Sequence, residues 1–138
     1  MGIGKKQVEV NARMLIDVLY PYFNARKLDE IMPFFAADAD WPNGMTGGRE
    51  LGHEAIRTYW TNQWAMINSQ VTPISYRVDG ESVSLEVHQL IKDMAGEVLS
   101  DSVVFHDYEF AARKIAKMDI SESVSDTARS LYIACGTS

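Results

Sequence analysis

The period of the apolar residues changes once along this chain, near Asn68, and that change limits the fold more than any other feature. Ahead of it, Val8, Ala12, Leu15, Ile16, Leu19, Tyr20 and Phe23 keep the spacing of one helical face. Ile56, Tyr59, Trp60, Trp64 and Ile67 do the same within "HEAIRTYWTNQWAMI". Pro21 falls inside the first pattern and predicts a kink or an early end there. A shorter helix is predicted over about Leu28–Phe35, after a polar turn. Beyond Asn68 the apolar residues alternate. "QVTPISYRV", "SVSLEVHQLI", "VLSDSVVFHDYEF" and "KIAKMDI" read as strands, with "KDMAGE" as a hairpin turn. Pro73 puts the first of these strands near an edge. "DADWPN" is a short strand at most, and "GMTGGRELG" reads as a loop. The segment from Ser121 is polar up to "LYIAC" and reads equally as a final strand or a short helix. Helices followed by antiparallel strands imply an α+β fold, with the helices covering one face of a curved sheet. Such a sheet can wrap a cavity, the default ligand site. The expected organisation is one domain over 1–138, with a core of about 8–120 and a tail over 121–138.

The 138 residues suffice for a core without disulfides or metals. The formal net charge of −6, with no basic patch, argues against a nucleic-acid partner. Cys135 is the one cysteine, so an intrachain disulfide is impossible and a reducing compartment is expected. The first residues have no apolar run of signal-peptide length, and no stretch approaches a membrane span of about 20 apolar residues. The expected location is cytoplasmic, with no membrane partner.

One strand, "SVVFHDYEF", carries a histidine among aromatic and apolar residues, and its role depends on the face that it occupies. A hairpin loop of Ala95-Gly96 or of Asp93 to Gly96 has an even length either way. Both place His106, Val104, Ser102 and Tyr108 on the face of Val83, Leu85, Val87, Gln89 and Ile91. A bulge or an odd-length loop would invert the assignment. The shared face is the more apolar one and should meet the helices. There His106 would sit in a mostly apolar pocket with Gln89 and Tyr108, its pKa lowered by desolvation, as a candidate general base. The bland alternative is a buried, hydrogen-bonded histidine without a role.

Trp41, Tyr59, Trp60 and Trp64 gather around the glycine loop and the following helix. They read as core, as a pocket wall for a flat or apolar ligand, or as both. Met118 would supply an adaptable pocket floor. Asp40, near the expected pocket mouth, is a second and weaker acid or base candidate. "GMTGGRELGHE" lacks the lysine and hydroxyl residue of a phosphate loop, and the three histidines do not share a ligand-type spacing. Neither a metal nor a cofactor is therefore expected. His88, Glu86, Asp101, Val103, Phe105 and Asp107 fall on the opposite face. There Val103 and Phe105 need a cover, which a homodimer through the outer sheet face would provide.

"YFNARKLDEIMPFFAADADW", "GHEAIRTYW" and "FHDYEFAARKIAKMDI" together resemble the nuclear-transport-factor-2-like superfamily, in its SnoaL-like and ketosteroid-isomerase-like branches. The resemblance covers roughly 8–120. It implies a cone in which three helices pack into a strongly bent antiparallel sheet around an apolar pocket, often in a dimer. The activities that it implies are isomerase, dehydratase, polyketide cyclase or epoxide hydrolase, or non-catalytic binding. The isomerase's general base falls on Asn43, an amide that cannot take a proton but can donate at the pocket mouth. Its oxyanion-hole tyrosine falls on Leu19, with Tyr20 and Tyr22 close by, and its oxyanion-hole aspartate falls on His106. The dehydratase-like and cyclase-like branches use a sheet histidine or aspartate as acid or base, a part that His106 could take. Three readings follow: an enzyme moving a proton on a small, mostly apolar molecule through His106, a binding module with the same pocket and no chemistry, or a module whose sheet face serves only to form a dimer.

Overall fold

The computed structural model describes residues 4–136. The first helix runs as α1 (Lys5–Met14), a π-helical turn at Leu15–Leu19, and α2 (Tyr20–Asn24). Pro21 has no N–H for the carbonyl one turn back, and the wider turn lies just ahead of it. An α-helix would rotate Tyr20 away from the face of Leu15. A π turn brings residues five apart closer to one face, and Leu15, Leu19 and Tyr20 are all buried. The proline thus neither ends the helix nor leaves it regular; it coincides with a change of phase that turns a tyrosine inward.

The short helix stops earlier than its apolar pattern suggests. α3 covers Leu28–Ile31, Met32–Phe34 tighten into a 3-10 turn, and Phe35 is already extended. Pro33 cannot donate the bond that a continuing α-helix needs. β1 then runs over Phe35–Pro42, longer than expected, with Phe35, Ala39 and Trp41 buried. β2 (Arg49–Leu51) forms where a loop was expected and pairs antiparallel with β1. Gly52 turns the chain into α4 (Gly52–Met66) at φ +85°, where an added Cβ would stand 3.3 Å from the Ala37 carbonyl oxygen. His53 anchors the helix start through its Nε2, 2.8 Å from the Phe35 carbonyl oxygen.

The remaining strands are β3 (Ile67–Asp79), β4 (Ser82–Asp93), β5 (Val98–Ala111), β6 (Lys114–Ser121) and β7 (Ile133–Ala134). They build one curved sheet in the order β2-β1-β6-β5-β4-β3-β7. All neighbours are antiparallel except β1 and β6. Among the described residues only the two-residue β7 lies beyond β3, so the strand of Pro73 sits next to the edge.

The β4–β5 register carries the site. Near the turn, Lys92 pairs with Val98, and the Asp93 N–H donates to the Glu97 carbonyl. Gly96 takes φ +92°, and the Asp93 carboxylate accepts from the Ala95 and Glu97 amides. The loop between Asp93 and Glu97 is therefore three residues long, an odd length that alone would invert the faces. A bulge then intervenes, because Ile91 pairs with Ser100 and Lys92 with Val98. The two inversions cancel. Val83 faces Tyr108, Leu85 faces His106, Val87 faces Val104 and Gln89 faces Ser102, as the even-loop reading expects.

Up to residue 136 the tail crosses the outer face. α5 (Asp126–Arg129) is capped by the Ser125 hydroxyl, and β7 pairs with β3 at Ser75 and Tyr76. Tyr132 packs edge-on against Phe105, and the Arg129 guanidinium lies over the same ring. Arg129 also pairs with Glu86 at 2.5 Å, and the Ser75 hydroxyl donates to that carboxylate. Phe105 is thus buried by its own chain, which corrects the expectation that both outer apolar residues await a partner; Val103 remains 43% exposed. No helix among the described residues is long and apolar enough to cross a membrane.

Candidate functional site

The helices and the concave sheet face enclose a small cavity of about 40 Å³, room for a few water-sized groups. Leu19, Phe23, Ile31 and Val71 give it aliphatic and aromatic walls, with Trp41 and Trp60 beside them. Tyr20, His106 and Tyr108 bring the polar atoms. An outer chamber of about 130 Å³ shares Phe23, Trp41, Trp60, Val71 and His106 with it, and so forms its mouth. Gln63, Gln89, Met118 and Ile120 line this mouth, together with Gly44 and Met45 of the glycine loop. Among the described residues, no Lys, Arg, Asp or Glu lines either chamber.

The three polar side chains form one chain of hydrogen bonds. The Tyr20 hydroxyl lies 2.5 Å from His106 Nδ1 and 2.7 Å from the Tyr108 hydroxyl. His106 Nε2 makes no hydrogen bond among the described residues. Burial pushes the His106 pKa from 6.5 down to about 4, so the ring is neutral at ordinary pH. Burial also raises both phenols: Tyr108 well above its ordinary value, and Tyr20 likewise, with the neighbouring Tyr108 adding to the effect. The site therefore offers hydrogen-bond donors and one basic ring nitrogen without any formal charge.

The other expected site residues lie at different depths. Trp41 and Trp60 form the inner wall, 5.2 Å apart at their ring centroids and nearly perpendicular. Trp64 stacks behind Trp60 at 5.9 Å and lines neither chamber. Tyr59 stands at the mouth, where its hydroxyl accepts from the Gly44 amide at 3.0 Å and from the Gln63 amide at 2.8 Å. Gln89 and Met118 line the mouth and do not reach the inner cavity. Asn43 lines neither chamber. Its oxygen accepts from the Met45 and Thr46 amides and its nitrogen donates to Glu50, so it shapes the glycine loop. Asp40 alternates with the inward Ala39 and Trp41, lines neither chamber and is held by Arg49 Nε at 2.6 Å. The same guanidinium pairs with Asp119 at 2.8 Å.

Tyr20 is the residue that the sequence did not single out. It belongs to the apolar stripe of the first helix, and the resemblance pointed one position earlier, at Leu19. Leu19 does line the cavity, but the hydroxyl there comes from Tyr20. The signal was Pro21 directly after a tyrosine, since a proline inside a helix marks a place where the phase can change.

Solved structures share this architecture. TerC, co-crystallised with polyporic acid, is 20% identical with a TM-score of 0.70, covering 88% of this chain and 96% of that one. An NTF2-like protein of unknown function from Burkholderia pseudomallei is 17% identical with a TM-score of 0.71, covering 91% and 97%. A Catenulispora acidiphila protein with a ketosteroid-isomerase-like fold, in complex with trimethylamine, is 16% identical with a TM-score of 0.68, covering 83% and 87%. At these identities the likeness shows the fold: a cone of the NTF2-like, ketosteroid-isomerase-like class. The model of the SnoaL-like domain matches residues 17–118, and the chain belongs to that family. Among curated proteins none matches.

Proposed function

We propose that the chain binds a small, uncharged, mostly apolar molecule in the cone and moves a proton on it through His106. The observation that carries this reading is the neutral imidazole bonded at Nδ1 and free of bonds at Nε2, in a cavity without a formal charge. A charged ligand would lose its hydration with no ion to compensate it there. A neutral apolar molecule would meet Trp41, Trp60 and Phe23 instead. A neutral ring nitrogen within reach of a ligand is suited to taking or giving a proton. The ligands seen with TerC and with the Catenulispora protein are consistent with cones of this class holding small molecules.

A non-catalytic binding module is the second reading, and the lack of a carboxylate beside the imidazole favours it. Binding separates both from an inert core histidine. A small neutral aromatic ketone such as β-tetralone should quench the tryptophan fluorescence saturably, because Trp41 and Trp60 line the cavity. His106→Ala should weaken that binding, besides costing about 1–3 kcal/mol of stability for the lost buried bond to Tyr20. A variant that melts much lower and binds unchanged would make His106 a structural residue.

A further inference from the structure

We propose that Arg26 holds the carboxylate of a small, otherwise apolar monocarboxylic acid in a cleft outside the cone, where the end of the first helix meets the end of α4 and the β4–β5 turn. Arg26, Trp64, Ile67, Asn68, Asp93 and Met94 line this cleft, whose volume is about 220 Å³. It is independent of what the cone binds. Arg26 lines neither inner chamber, and Ile67 borders both the cleft and the mouth.

α2 ends at Asn24, and Arg26 closes the helix at φ +61°, its N–H donating to the Phe23 carbonyl and the Lys27 N–H to the Tyr22 carbonyl. Glycine suits such a helix end best, because a Cβ costs energy at positive φ. The arginine side chain is instead held by contacts of its own. Its guanidinium lies over the Trp64 ring at 5.1 Å and the Phe23 ring at 5.7 Å. It donates to the Phe23 carbonyl at 3.2 Å and to Asn68 Oδ1 at 2.8 Å. All of these partners are neutral. Arg13, Arg49, Arg57, Arg77 and Arg129 each meet a carboxylate, whereas Arg26 meets none among the described residues. Burial pushes its pKa below the ordinary value, so the group has lost water without gaining a counter-ion. A cation fixed in this way gains from an anion that replaces the lost water.

The remaining walls define the rest of the ligand. Trp64 borders the cleft, and its indole N–H is buried without a partner among the described residues. A second donor thus lacks an acceptor beside the first. A carboxylate brings two acceptor oxygens, which suits unmet donors on two side chains. Trp64, Ile67 and the exposed Met94 offer apolar surface to a short hydrocarbon body. Asp93 limits the charge. Its Oδ1 accepts from the Ala95 and Glu97 amides, and the carboxylate stays in the cleft as a negative group. One negative charge on the ligand balances Arg26, and a second would be repelled by Asp93. A monocarboxylate is therefore favoured over phosphate. Among the described residues neither cone chamber has a cation, so the same anion is disfavoured there.

The test titrates benzoate, benzamide and inorganic phosphate separately into the intact chain and follows the indole N–H signals by NMR, the Trp64 signal being identified by its loss in Trp64→Phe. Benzoate should move the Trp64 signal saturably and further than those of Trp41 and Trp60, because Arg26 lies over the Trp64 ring. Benzamide has the same shape without the charge, and phosphate carries too much of it. Each should bind about tenfold or more weakly than benzoate. Arg26→Gln should weaken benzoate by about tenfold or more. Asn68→Asp places a carboxylate where the Arg26 guanidinium already donates, and should weaken benzoate equally without removing the arginine. That variant decides the matter if Arg26→Gln does not fold. An unmoved Trp64 signal, benzamide or phosphate binding as tightly as benzoate, or full benzoate affinity in either variant would overturn the assignment. A shift confined to Trp41 and Trp60 would place benzoate in the cone and overturn it as well.

Discussion

His106 shows how much a single side chain depends on its surroundings. On a strand facing water it would titrate near pH 6.5. Here it lies behind Trp41, Tyr20 and Tyr108, and desolvation holds it neutral down to about pH 4. The consequence for stability has a definite sign. Between pH 6.5 and about 4 the unfolded chain binds a proton at this site and the folded chain does not. Stability from this group is therefore fully present above pH 6.5 and declines as pH falls toward the folded pKa, by about 3 kcal/mol over the whole window. Thermal melts of the intact chain and of His106→Gln across this range should diverge, with the intact chain losing more. Parallel curves would show that the ring is not held neutral. The sequence placed this residue on the correct face through a turn that it read incorrectly. The composition of "KDMAGE" allows two-, three- and four-residue loops, and a bulge leaves no mark in an alternating pattern.

At the scale of elements, the strongest departures from the sequence reading come from contacts remote in sequence. β2 exists because Arg49 to Leu51 meet β1 across the glycine loop, and three residues carry too little pattern to reveal a strand. The tail had no legible periodicity, since its order comes from what it covers. Glu86 looked like an ordinary outward carboxylate in an alternating strand, yet it is buried beneath Arg129 and bonded by Ser75. Arg129→Ala would leave this carboxylate without its cation and remove the cover over Phe105. The expected loss is about 1–3 kcal/mol, read as a lower melting temperature with unchanged β-tetralone binding, because Arg129 lines neither chamber. An unchanged melting temperature would mean that the strap is only loosely held. The long elements, by contrast, were legible because the stripes of the first helix and α4 and the alternation of β3 to β6 each repeat over many residues.

For the whole molecule, the order of helices and strands sufficed for the cone, since a one-sided helical layer and a bent sheet have few ways to pack. The chemistry inside was less legible. His106 and Tyr108 were visible as neighbours on one strand face. Their link through Tyr20 depends on a π turn at Leu15–Leu19 and on a contact across 86 positions of sequence. Trp64 and Asp40 are expected at the pocket from their place near the glycine loop and Asn43 from the resemblance, and none of the three lines either chamber. The central claim is that a neutral imidazole faces a ligand chamber, and NMR titration of the His106 ring, alone and with β-tetralone, measures it most directly. The predicted result is a midpoint near pH 4 and ring signals that move when the ketone is added. A midpoint near the ordinary 6.5, or a ring indifferent to the ketone, would contradict it.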